Sequence, residues 1–226
     1  MSDKNEIVDE FDGEEMHGDV GSFTLAPAGN HPAICVSVVL IGTIDTTFKG
    51  NPVRKKLIRI GFELPKQRHV FNEAKGEEPF VVYKEYTFSM GNSNFKKMLE
   101  SWRGEPFASK EEAKKFNVVK LLGCECMANI VVKTSGNGNQ YNDIATVTPL
   151  PDGLEVPAQS NKSTLFNFNP PFKTEVFNSL PEFIQNKIKS SDEYKALGGE
   201  APASTSQSST QATAATTGAK KKGLPF

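Results

Sequence analysis

The chain is poor in the residues that build metal sites and disulfide frameworks: its 226 residues include three cysteines, three histidines and one tryptophan. An odd cysteine count argues against a disulfide scaffold and fits a reducing compartment. Cys124 and Cys126 form a lone Cys-x-Cys, with His17, His31 and His69 scattered elsewhere. Two ligands on alternate strand positions face one way, but a closed zinc site needs four, so packed thiols are expected and no cofactor is implied. No apolar run reaches membrane-spanning length, and the acidic start is the opposite of a signal peptide. A soluble, cytoplasmic protein without a membrane partner is therefore expected. Catalytic motifs are missing as well. There is no GxGxxG, P-loop, HExxH or Gly-x-Ser-x-Gly, and no nucleophile has a base beside it in sequence, so no enzymatic activity is expected. Gly136-Asn-Gly138 joins two apparent strands with no helix behind it and reads as a hairpin tip, not a phosphate loop.

A formal net charge of −1 conceals an uneven distribution. Residues 1–30 carry eight acidic groups against Lys4 alone, whereas residues 31–150 carry seventeen Lys/Arg against twelve Asp/Glu. A basic middle between acidic flanks is suited to an anionic partner.

The segment from Phe80 to Gly104 organises the pattern. Val81–Met90 is rich in β-branched and aromatic residues and reads as a well-covered strand. The period then changes, because Phe95, Met98, Leu99 and Trp102 fall on one helical face, with Asn92–Asn94 as capping candidates and Gly104 as the stop. Upstream, the apolar run within Pro32–Thr43 reads as a buried strand, and Gly50-Asn51 as a turn. Val53–Leu64 is a second strand with Ile58, Ile60, Phe62 and Leu64 on a core face and Lys55, Leu57 and Arg59 on an exposed, cationic one. Pro65–Pro79 reads as a long charged loop. Downstream, Ser109-Lys-Glu-Glu112 is a capping box that starts a second short helix. Cys124–Thr134 and Tyr141–Thr148 are two strands joined by the hairpin Ser135–Gln140. Strand, strand, strand, helices, strand, strand is the order of the OB-fold, a mainly β, five-stranded, partly open Greek-key barrel with its helical insertion between strands three and four. An SH3-like barrel lacks that insertion, and a ferredoxin-like fold needs another crossover helix.

This predicts an acidic flexible segment over 1–21, an OB-fold domain over 22–153, an extension with short helices over 154–199, and a disordered linker over 200–226 that ends in Leu224-Pro225-Phe226. Residues 1–21 read either as a solubilising tail or as a competitor for the basic core. In the extension, Ser179-Leu-Pro-Glu182 should start a helix whose stripe of Leu180, Phe183, Ile184 and Ile188 needs a cover, on the barrel's flank or on a second subunit of a homo-oligomer.

Cations interleave with aromatics on the strands and hairpins. Lys49, Arg54, Lys55 and Arg59 surround the first hairpin, Tyr83, Lys84 and Tyr86 lie on the third strand, and Lys133 with Tyr141 flanks the second hairpin. Such a surface suits single-stranded nucleic acid, since cations track phosphates while aromatic faces accept stacked bases whatever the sequence. Each residue also has a plainer role. Tyr86 and Phe88 share the parity of core residue Val82, and Tyr83, on the opposite parity, is the better stacking candidate. Trp102 should plug the core, and Lys55 and Arg59 could serve as edge-strand charges that deter aggregation.

With this strand order, the segments Leu99-Glu-Ser-Trp102-Arg-Gly104-Glu-Pro-Phe107, Leu121-Leu-Gly-Cys124 and Tyr141…Ile144-Ala145…Pro149-Leu-Pro151 resemble phage-encoded replication proteins that are OB-fold single-stranded DNA-binding proteins. The resemblance covers roughly residues 22–153. It implies a non-catalytic protein that protects single-stranded DNA during phage replication or recombination in the host cytoplasm. The linker and the terminal Pro225-Phe226 resemble the tail of bacterial single-stranded DNA-binding proteins, which implies docking of replication or recombination proteins at Leu224, Pro225 and Phe226. Lys220, Lys221 and Lys222 stand where that tail carries acidic residues. The alternative is an OB-fold adaptor that grips a protein partner without binding nucleic acid.

Overall fold

The computed structural model of the protein describes residues 24–48 and 50–198. The expectations for the acidic segment, Lys49, and the tail with its Leu224-Pro225-Phe226 tip fall outside these residues. Within them the chain is mainly β with few helices. Strands β1 (Gly29–Phe48), β2 (Asn51–Asn72) and β3 (Gly76–Thr87) are followed by helices α1 (Asn94–Arg103) and α2 (Lys110–Lys115) and a 3-10 turn at Val118–Leu121. Then come β4 (Glu125–Thr134), β5 (Gln140–Thr148), a short β6 (Thr164–Phe166), and helices α3 (Thr174–Ser179), α4 (Glu182–Ser190) and α5 (Asp192–Ala196).

The five long strands form an antiparallel sheet in the order β3-β2-β1-β4-β5. The sheet is curled, and its two end strands meet. Lys84 on β3 pairs with Asp143 on β5 at 3.0 Å and donates to the Ile144 carbonyl at 2.6 Å. The long β1 follows this curl because register shifts between Cys35 and Ser37 and between Leu40 and Gly42 act as bulges that bend it. Its first part, Gly29–Ile34, pairs with β4, while Ile34–Phe48 pairs with β2.

The inner face of the curl follows the strand period. Ile58, Ile60, Phe62 and Leu64 of β2 join Phe80, Val82 and Tyr86 of β3 in one buried cluster. Helix α1 closes it with Phe95, Met98, Leu99 and Trp102, the face read from the sequence. The Ser93 hydroxyl caps its start by accepting from the Lys96 N–H, and Gly104, at φ +77°, ends it in the left-handed region. Trp102 is fully buried, lies 5.4 Å from the Phe62 ring, and donates its indole N–H to the Glu125 carbonyl at 3.1 Å. The Ser109 cap of α2 forms, with the Ser109 hydroxyl accepting from Glu112 N–H, while the Glu112 carboxylate accepts from the preceding Ala108 N–H instead of from Ser109 N–H. Cys35 and Cys126 pack in the same core, where burial pushes both thiols well above their ordinary range. Among the described residues no His/Cys/Asp/Glu group is arranged to hold a metal, and no helix is long and apolar enough to cross a membrane.

Three expectations are corrected. Pro65–Pro79 is not a loop, because β2 continues to Asn72 and β3 begins at Gly76. The strand jogs between Leu64 and Arg68, next to buried Pro65, and the ribbon beyond alternates exposed with half-buried positions, so it tolerates the charges that read as loop. The second face of β2 is not an exposed cationic surface. Val39 and Ile41 of β1 and Leu57 of β2 are buried there under Phe166, Phe177, Leu180, Ile184, Ile188 and Tyr194 of the extension. The apolar stripe of α4 thus finds its cover on the chain's own sheet. The Ser179/Glu182 box does not form, since Ser179 ends α3 and α4 starts after Pro181 with no side-chain cap.

Strand β6, in the extension where only short helices are expected, pairs parallel with Ser37–Val39 of β1. It takes the edge of β1 that β4 leaves free.

Candidate nucleic-acid interface

The cationic and aromatic residues singled out in the sequence fall into three groups. The first lies at the base of the β1–β2 hairpin. Arg54 pairs across the ladder with Asp45 at 3.3 Å and also contacts Asp192 of α5. Lys56 pairs with Glu193 of the same helix at 3.2 Å, and the Glu193 carboxylate accepts from the Thr43 N–H at 2.6 Å and the Thr43 hydroxyl at 3.0 Å. Burial pushes the Glu193 carboxyl up, but the Thr43 and Lys56 donors outweigh it and hold the group below the usual carboxylate range. Lys55, half-buried, stands opposite Ile44 in the ladder. The acidic end of the extension is therefore tied to the cations of the first hairpin. This approach needs a glycine. Gly42, at φ +98°, sits so close to α5 that a Cβ would lie 2.7 Å from the Ser191 Cβ and 2.8 Å from a Glu193 carboxylate oxygen.

The second group is on the outer face of β2 and β3. Arg59 and Glu85 are ladder partners and form an ion pair at 3.4 Å, which Lys187 of α4 joins at 3.3 Å. The Arg59 guanidinium lies 4.4 Å from the Tyr83 ring centroid and 5.3 Å from that of Phe183. Burial lowers the Arg59 pKa and Glu85 opposes the shift, while burial raises that of Tyr83. Tyr83 stays 41% exposed, so part of its ring is open to a ligand. The ring crosses Gly61, its ladder partner, where a Cβ would come within 2.5 Å of the tyrosine Cε1. The absence of a side chain at position 61 lets the ring lie down on the sheet.

The third group links β3, β4 and β5. Asp143 is shared by Lys84 at 3.0 Å and Lys133 at 2.7 Å. Burial pushes the Asp143 carboxyl up, and the two ammonium groups more than reverse this, leaving it below the ordinary range. Tyr141 is half-buried and is the ladder partner of Lys133. Tyr86 is 6% exposed, packs 5.8 Å from Phe95, and has its hydroxyl pKa pushed up by burial. Of the tyrosine and lysine neighbours on β3, Tyr83 faces outward, whereas Lys84 and Tyr86 share the inward parity of Val82 and hold the curl together.

The structure brings Arg59 and Tyr83 together. It separates them from the seam residues Lys84, Tyr86, Lys133 and Tyr141, and it engages Arg54 with the extension. The sequence reading missed Lys56, Glu193 and Lys187, and with them a buried acid on the sheet. Glu63 on the outer face of β2 is fully buried, and its carboxylate accepts from the N–H groups of Ser160 and Asn161 and from the Asn161 side-chain amide, at 2.8, 2.7 and 2.8 Å. It pins the start of the extension to the sheet. The available signal was a lone acid at the outward parity of an otherwise apolar strand segment. No protein-family model, curated protein or solved structure matches the chain, so the site is read from its own geometry.

Proposed function

We propose that the chain is an OB-fold single-stranded DNA-binding protein of phage replication or recombination. In this reading it acts without enzymatic activity in the host cytoplasm and coats single strands with little sequence preference. The OB-fold assignment is supported by the order β3-β2-β1-β4-β5, the Lys84 link between the end strands, and α1 between β3 and β4. The observation that carries the function is the Tyr83–Arg59 stack on the outer face of β2 and β3. It sets a partly exposed ring beside a cation that Glu85 holds in place, and the open part of such a ring accepts a stacked base whatever its identity. Leu224, Pro225 and Phe226 serve in this reading as the docking tip for replication or recombination proteins.

A titration of labelled oligo-dT tests it. Binding should be nanomolar to micromolar at low salt and fall steeply as salt rises. Undetectable binding at low ionic strength ends the reading. The same titration on a chain lacking residues 200–226 should retain affinity while losing partner recruitment.

One observation favours the second reading, an adaptor without nucleic-acid binding. The extension engages Arg54, Lys56 and Arg59 through Asp192, Glu193 and the Phe183/Lys187 side of α4. Binding to oligo-dT that is unchanged by Lys55→Ala and Arg59→Ala would move the function off this face.

A further inference from the structure

Between the outer face of the sheet and the extension lies a cleft of about 530 Å³, which opens beside Tyr83. A smaller chamber of about 90 Å³ adjoins it, with Arg59 in its wall, and Ser37, Tyr83, Thr164 and Ser179 line both spaces. We propose that this cleft takes one unstacked nucleobase out of a bound single strand, with the base against the Tyr83 ring and Lys162 on the adjoining phosphate. The inference rests on the single-stranded DNA-binding reading and adds that the extension, and not the sheet alone, builds the site.

The chemistry of the walls fits this ligand. The floor is an aromatic ring laid over Gly61, with the Arg59 cation 4.4 Å from its centroid. Base stacking on such a ring does not depend on base identity. The walls carry the hydroxyls of Ser37, Thr164 and Ser179. The Ser37 and Thr164 hydroxyls can donate or accept, and Ser179, whose O–H already donates to the Val176 carbonyl at 2.7 Å, can still accept, so together they can meet the edge of any base. Lys162 is exposed on the cleft wall and has no ion-pair partner among the described residues. Its loop is preorganised, because the preceding Ser160 and Asn161 are the two residues held by buried Glu63. Glu175 also lines the cleft. Its charge disfavours phosphate at that position and leaves the Lys162 rim as the track for the backbone. The volume lies within the range of about 300–1,000 Å³ that small-ligand sites occupy.

The test compares a short dT oligomer with an abasic oligomer of equal length, which has the same phosphates and no bases, by fluorescence anisotropy on the full chain. The wild type should prefer the dT strand by about tenfold. Tyr83→Leu, which removes the ring, and Ser179→Trp, which fills the cleft from the extension side, should each abolish that preference. The loss should fall on the dT strand, and Tyr83→Phe should keep the preference. Circular dichroism verifies that each variant is folded. A wild type that binds both strands equally, or a preference that survives in both disabling variants, overturns the cleft while sparing the DNA-binding reading. If the wild type binds neither strand, the DNA-binding reading falls and the cleft with it.

Discussion

The inner and outer faces of the curled sheet are covered in different ways. The inner face is filled by chain that lies between β3 and β4, and its contacts are almost wholly apolar, with α1 laying Trp102 and Leu99 on Phe62 and its neighbours. The outer face is covered by chain from beyond residue 154, and its apolar patch is bordered by charge: Arg59–Glu85–Lys187, Lys56–Glu193, Arg54–Asp192 and the Glu63 clamp. Apolar burial supplies the stability of both. On the outer face, directional polar contacts also fix where a loosely patterned segment comes to rest. Cations that read as free surface can therefore be occupied from within the chain.

Variants on the two faces test this difference. Trp102→Ala should have the largest effect, lowering stability by about 3–5 kcal/mol, because a large side chain is removed from a packed core and the Glu125 carbonyl loses its donor. Urea unfolding followed by circular dichroism measures it, and a loss below about 1 kcal/mol would mean the inner core is not the main support. Glu63→Ala should cost about 2–3 kcal/mol, since a fully buried acceptor is removed from three part-buried donors. Its signature is regional. Hydrogen exchange should quicken over 160–166 more than over 95–102, and uniform acceleration would erase the distinction between the faces.

Gly42→Ala should come next, at about 1–3 kcal/mol, from a side chain forced into positive φ. It should loosen α5 first, because the added Cβ meets Ser191 and Glu193. Acid should act on both faces. Asp143 at the inner seam and Glu193 on the outer face are both held below their ordinary values. Each contributes stability that is fully present above the unfolded carboxyl values of about 4 and is lost as pH falls through the lower folded value. Glu193→Gln should remove the acid response of 192–196 and leave that of the β3–β5 seam, as read by exchange corrected for intrinsic rates. Arg54→Ala should change the unfolding midpoint least, since its ion pairs are solvent-exposed. A clear drop would show that the charged border does more than orient the extension.

The inner face was legible because its signals are local and periodic. Ile58, Ile60, Phe62 and Leu64 alternate, Phe95, Met98, Leu99 and Trp102 recur at helical spacing, and Ser93, Gly104 and Ser109 sit at their caps. Part of the candidate site was legible too, since parity puts Tyr83 outward and Tyr86 inward, whereas Lys84, read as part of the binding surface, is tied to Asp143 at the seam. The outer face was not, for separate physical reasons. β6 has three residues, too few to show a period. Leu57 and Arg59 alternate with core residues, so they look like the wet side of a strand until something distant covers them. The Arg59–Glu85 pair depends on the register between β2 and β3, and the Glu63 clamp on contacts almost a hundred residues apart in sequence.

The parallel pairing of β6 with Ser37–Val39 has a consequence for the order of events on the ribosome. Residues 29–148 hold all five long strands and α1, so the inner core can close before the extension emerges. The hydrogen-bonding edge of β1 at Ser37 must wait for Thr164, and at ~5–20 residues per second that delay is roughly 6–25 s. During this interval the nascent chain presents a bare strand edge beside the uncovered side chains of Val39, Ile41 and Leu57. Arrival of the last segment ends that exposure, so the extension acts as an intramolecular guard against pairing between neighbouring nascent chains.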